Sequence, residues 1–191
     1  MPRGEKFGPV RPFGSFPRLN PKPFDPRESV FIPDLGVDDS KIRSVSPRKM
    51  RLIGAKVYDS ATQAIADDAA YHALVFDTEA FDQGDLFASA FNTRLTIPYT
   101  GIWLVSAFIS YAPNGSGLRR LRLRKNAATV LIEAIYDNLN TVNTTASVAA
   151  PFLLTAGDYI EAETRQNSTG NLNILAGEDD NFFSAIFLGA I

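Results

Sequence analysis

The sequence predicts an all-β fold, a sandwich or barrel of eight to ten short strands over residues 51–191, behind an extended N-terminal arm over residues 1–50. Three observations carry this. Short runs rich in β-branched and aromatic residues recur along the body with turn clusters between them, and no sustained helical period competes with them. Nine of the twelve prolines fall in the first fifty residues: Pro2, Pro9, Pro12, Pro17, Pro21, Pro23, Pro26, Pro33 and Pro47. Each lacks an amide donor and fixes φ, which forbids a helix or central strand there. Charge divides at the same place, with ten Lys/Arg against six Asp/Glu in the arm and nine against fifteen in the body, giving the formal net charge of −2.

The bulk numbers narrow the function classes. With 191 residues, 45% hydrophobic and 21% charged, the chain has the make-up of one domain with a sizeable core plus an appendage. Neither nucleic acid nor membrane is expected as a partner. The absence of cysteine excludes disulfides, thiolate zinc sites and cysteine nucleophiles. Residues 1–20 contain no apolar run of the kind that forms a signal core, so residence where the protein is made, or export inside a larger particle, is expected.

In order, the expected strands are 51–58, 71–76, 93–98, 102–112, 118–125, 129–136, 144–154, 159–166, 172–175 and 182–189. Turn clusters separate them at Pro113 to Gly117, Asn138 to Asn143, Ala156 to Asp158 and Asn167 to Asn171. Ala61 to Ala70 has room for a helical turn, too short to change the fold class. Most strands alternate, as where Ile160 and Ala162 oppose Glu161 and Glu163. Ile102–Tyr111 does not alternate. One face carries Ile102, Leu104, Ser106, Phe108 and Ser110, and the other Trp103, Val105, Ala107, Ile109 and Tyr111. The C-terminal strand is similar, with Ser184, Ile186 and Leu188 opposite Phe183, Ala185 and Phe187. A sandwich covers one face of each sheet, so the second apolar face requires a cover: another subunit, or the arm or a loop of the same chain.

The segment TRLTIPYTGIWLVSAFISYAP resembles the strand–turn–strand signature of the complement globular-head domain and its tumour-necrosis-factor-like relatives. LRLRKNAATVLIEAIYD, ASVAAPFLLTAGDYIEAET and NFFSAIFLGAI then follow in the family's order, so the resemblance spans about residues 51–191. It implies a ten-strand jelly roll forming a compact homotrimer, with aromatic and aliphatic residues packed along the three-fold axis. The residues assigned to that interface are Trp103, Val105, Ile109, Tyr111, Phe183 and Phe187. The chain departs from the animal secreted members in showing no collagen-like stalk, signal-peptide pattern or cysteine. Its layout is similar to bacteriophage head decorations, head fibres and tail tips, which place such jelly rolls behind a short anchoring arm.

No catalytic, metal or cofactor residue is assigned. The single histidine, His72, reads as a satisfied strand residue. The carboxylates Asp67, Asp68, Asp77, Glu79, Asp82, Asp85, Glu178, Asp179 and Asp180 lack EF-hand spacing and read as solvated loop charge. Arg120, Arg122 and Arg124 line one strand face, either gripping an anionic partner or pairing with Glu133 across a hairpin. The glycosylation-like triplets at Asn114, Asn143 and Asn167 read as turns. In the arm, Phe7, Arg11, Phe13, Phe16, Arg18, Phe24 and Phe31 are spaced anchors on a proline-stiffened chain, expected to dock on a capsid or tail protein. The expected function is therefore a trimeric virion decoration or fibre protein. A phage tail head binding a host receptor or glycan is the alternative, and a secreted cytokine-like ligand the second.

Overall fold

The computed structural model describes residues 52–137 and 142–191. Twelve strands occur there: β1 (Gly54–Tyr58), β2 (Gln63–Ile65), β3 (His72–Ala73), β4 (Thr78–Gln83), β5 (Arg94–Thr96) and β6 (Gly101–Tyr111). They continue with β7 (Leu118–Lys125), β8 (Thr129–Asp137), β9 (Thr144–Leu154), β10 (Tyr159–Gln166), β11 (Leu172–Ile174) and β12 (Asn181–Gly189). The larger sheet runs β2-β11-β6-β12-β1-β4, with β9 on the other side of β6. The smaller runs β3-β10-β7-β8, with β5 also on β10. Every pairing is antiparallel. This is the expected jelly-roll sandwich.

The core lies between the sheets and is filled from both by alternate residues. Trp103, Val105, Ala107, Ile109 and Tyr111 of β6 meet Leu121 and Leu123 of β7 and Ile160 and Ala162 of β10, with Ala55, Val57, Phe183 and Ala185 beside them. Most polar atoms in this core have partners, the Arg119 Nε being without one. The Trp103 indole donates to the Tyr99 carbonyl at 3.0 Å. The Tyr111 hydroxyl bonds Thr164, whose own hydroxyl donates to the Arg120 carbonyl at 2.8 Å. Burial pushes the Tyr111 phenol well above its usual range, so it stays a neutral donor. Arg119 is turned inward beside the Tyr111 ring and donates to the carbonyls of Ser116, Leu118 and Asn114.

The strand expected at 71–76 is cut to His72–Ala73, and two further elements differ from the sequence reading. The helical turn for which Ala61 to Ala70 has room is not there: Gln63–Ile65 is a strand on β11, and the Gln63 amide bonds both the N–H and the C=O of Val75. Strand pairing outweighs the weak helical preference of the five alanines in this segment. The other is β4, not foreseen because Glu79, Asp82 and Gln83 dilute its apolar pattern; as an edge strand on β1 it needs little burial. The turn clusters at Asn114 and Asn167 are turns. The Asn114 side chain accepts from Ser116 N–H, and that of Asn167 from Leu118 N–H. Gly117 beside them sits at φ +69°, where a Cβ would lie 2.0 Å from the Asn167 carbonyl oxygen.

Candidate functional site: the open face of the larger sheet

The register across β9, β6, β12 and β1 fixes what the larger sheet presents away from the core. Leu153 lies beside Ile102, next to the irregularity that displaces Leu188. One pleat further, Pro151, Leu104, Ile186 and Gly54 form a row. Ala149, Ser106, Ser184 and Lys56 form the next, then Ser147, Phe108 and Phe182. Gly54 lets β1 and β12 close up beneath Ile186, since a Cβ there would meet Ala185 O at 2.6 Å and Ile186 Cδ1 at 2.8 Å. Phe108 and Phe182 stack at 5.6 Å, and Lys56 Nζ sits 4.4 Å from the Phe182 centroid while pairing with Glu178 at 2.9 Å. The Ser106 and Ser184 hydroxyls bond each other at 2.7 Å, so even the polar row needs no water to satisfy that contact.

This face is largely apolar, and none of the described residues covers it. Leu104 is 37% exposed and Leu153 and Leu188 are each 58% exposed. Contiguous apolar surface of this kind marks an interaction site. The six residues assigned to an interface from sequence are placed differently. Trp103, Val105, Ile109, Tyr111 and Phe183 are all 0% exposed in the interior, and Phe187 packs on Trp103 at 5.1 Å. Both faces of β6 are apolar, so parity alone could not orient it. The serines were the usable signal, because Ser106, Ser110 and Ser184 all lie on the outward parity.

Two exposed apolar side chains stand on the edge strand of the smaller sheet. β8 and β9 each pair on one side only, with β7 and β6 respectively. The two side chains are Val130 and Ile135 of β8, opposite Arg124 and Arg120 in the β7–β8 register and so on the outer face of that sheet. Tyr136 ties the two edges together, its hydroxyl accepting from Ser147 N–H at 3.0 Å.

The remaining sequence candidates resolve into structure. Arg120 pairs with Glu133 at 2.9 Å, Arg122 with Glu163 at 2.6 Å, and Arg124 with Glu163 at 2.5 Å and Glu161 at 3.4 Å. Tyr71 lies over Arg122 at 3.5 Å and donates to Glu133. That hydroxyl first, and Arg120 after it, hold the Glu133 carboxyl below the usual carboxylate range. His72 Nε2 meets Asp68 Oδ1 at 2.9 Å. Asp77 accepts from the N–H and hydroxyl of Ser60. Among the described residues no group of three His, Cys, Asp or Glu could hold a metal ion. The arm anchors Phe7, Arg11, Phe13, Phe16, Arg18, Phe24 and Phe31 lie outside the described residues, as do Asn138 to Thr141 of one tip loop.

Comparison with known proteins agrees with this architecture. No protein-family model matches the chain, and no curated protein matches it. Among solved structures, the globular domain of zebrafish complement 1qA superposes with a TM-score of 0.56 at 16% identity, covering 73% of this chain and 99% of that one. Eiger TNF from S. frugiperda gives 0.52 at 16% identity, covering 74% and 96%. Murine APRIL at pH 5.0 gives 0.56 at 13% identity, covering 72% and 100%. The fold is thus the jelly roll of the tumour-necrosis-factor-like and complement globular-head domains.

Proposed function

We propose that this chain is a self-assembling head domain, a homotrimer closed by the open face of its larger sheet, with no catalytic role. The observation that carries the reading is the uncovered apolar face of β6, β9 and β12. The face and the β8–β9 edge are different surfaces of one subunit. Packing the edge of one copy on the face of the next is a heterologous contact, which repeats until the ring closes. The sequence resemblance supplies the number three.

The experiment exploits the lack of native cysteine. Leu188→Cys on the face and Ile135→Cys on the edge are expressed separately, mixed, allowed to exchange subunits, and oxidised. Edge-on-face assembly gives a covalent heterodimer in the mixture and little from either variant alone. Cross-linking of Leu188→Cys with itself would indicate face-to-face pairing and refute the ring.

The finer reading is a virion decoration or fibre head, made in the host cytoplasm and held on a protein shell by the arm. It is supported by the arm's nine prolines, positive charge and spaced phenylalanines. Proline lowers the entropy lost on ordering, and aromatics supply anchoring contacts. A receptor- or glycan-binding tail head shares the assembly and differs at the tip, and a secreted ligand is the reading favoured by the likeness to Eiger TNF and APRIL.

A further inference from the structure

The outer face of the smaller sheet carries five arginines, Arg94, Arg120, Arg122, Arg124 and Arg165, among three glutamates, Glu133, Glu161 and Glu163. The glutamates are taken by Arg120, Arg122 and Arg124. Arg94 and Arg165 have no hydrogen bond or ion pair to any described residue.

These two are not equivalent. The Arg94 guanidinium carbon lies 4.1 Å from the Phe91 ring centroid and 4.5 Å from that of Tyr159. Its Nε is buried and has no acceptor. Glu161 lies directly opposite Arg94 in the β5–β10 register, yet its carboxylate turns to Arg124. Ring faces hold a guanidinium through its flat sides and leave its N–H edge unsatisfied. A buried donor without an acceptor calls for an explanation. A planar, five-donor fork already immobilised by two rings loses little further freedom when an anion meets that edge. Arg94 is only half-buried and its two Nη nitrogens, unlike Nε, are not enclosed, so the outer end of the fork is reachable from solvent beside exposed Phe91. Arg165, half-buried and without an aromatic neighbour, carries the same charge without this preparation.

We propose that Arg94, held by Phe91 and Tyr159, is a binding site for an oxyanion that offers two oxygens to the guanidinium edge, a carboxylate or a phosphate. The site lies on β5 and β10 of the smaller sheet, away from the open face of the larger one. Carboxylate and phosphate share the recognition chemistry and differ in source: a side chain of a partner protein, or a free or ester phosphate.

The test uses the full chain with ¹⁵N-labelled arginine and follows the Nε–Hε signals during titration with acetate or inorganic phosphate, chloride keeping ionic strength constant. Arg94→Lys assigns the signal. The Arg94 resonance is expected to shift saturably while Arg165 shifts weakly and linearly. Saturation with acetate alone identifies a carboxylate site, with phosphate alone a phosphate site, and with both a general oxyanion site. Phe91→Ala, at an exposed position, should weaken binding roughly two- to fivefold. Arg94→Lys, read by the amides of Thr93 and Leu95, should weaken it about tenfold or more despite the conserved charge. An Arg94 response no larger than that of Arg165, or amide shifts unchanged in Arg94→Lys, would overturn the proposal.

Discussion

Leu104→Asp separates assembly from folding. Leu104 is at the centre of the open face, between Pro151 and Ile186, while its neighbours in sequence, Trp103 and Val105, are fully buried in the core. Fully burying a leucine is worth about 1.5–3 kcal/mol. Leu104, Leu153 and Leu188 retain 37%, 58% and 58% exposure, so covering all three contributes about 2–5 kcal/mol per subunit. Aspartate at position 104 removes part of that gain and buries an unpaired carboxylate, a total penalty of about 3–5 kcal/mol per contact. At about 1.4 kcal/mol per tenfold, the dissociation constant should rise by roughly two to three and a half decades. Sedimentation velocity of the full chain at micromolar concentration should show wild-type trimer and variant monomer. The near-ultraviolet circular dichroism from buried Trp103 should persist in the monomer. An unaltered trimer would refute the assignment of this face, and an unfolded variant would show that the face stabilises the subunit itself.

Three further outcomes follow from local geometry and from the arm. Asn126 and Ala127 both have positive φ, 53° and 52°, in the β7–β8 turn; left-handed alanine costs about 1–2 kcal/mol, so Ala127→Gly should raise the melting temperature by about 2–4 °C, and a decrease would show that the turn is held from elsewhere. Because the folded Glu133 pKa is depressed, its stabilisation is complete above the unfolded carboxylate value near ~4.3 and fades as pH falls through the folded one. The melting-temperature gap between wild type and Glu133→Gln should therefore be widest near neutral pH and close in acid, whereas a gap constant from pH 7 to 2 would contradict the Tyr71–Glu133–Arg120 account. Deleting residues 1–45 should leave the oligomer and its melting curve nearly intact while abolishing incorporation into particles; full occupancy by the truncated chain would move the anchor into the head.

Strand identity was largely legible because strong period-2 runs are bounded by turn chemistry. β7, β9 and β10 occupy the spans expected for them, 118–125, 144–154 and 159–166. β2 and β4 were not legible, since three residues of Gln-Ala-Ile carry no period and an edge strand with Glu79 and Asp82 carries little apolar signal. The importance of β6 and β12 could be read from their doubly apolar pattern. Which face was free could not be read from apolarity, because Trp103 and Phe183 look equally suited to an interface or a core. The burial that settles it is made by Leu121, Leu123 and Ile160, strands away in sequence. Arg94 gave no sequence signal, since Phe91 is near it in sequence but Tyr159 reaches it only through the β5–β10 pairing.

The most direct test of the central claim is the absolute mass of the full chain in solution by light scattering across a dilution series. The account predicts three times the 20.9 kDa subunit, holding into the micromolar range. A monomer of 20.9 kDa at the same concentrations would contradict it, leaving the apolar face of β6, β9 and β12 to be covered by something other than its own copies.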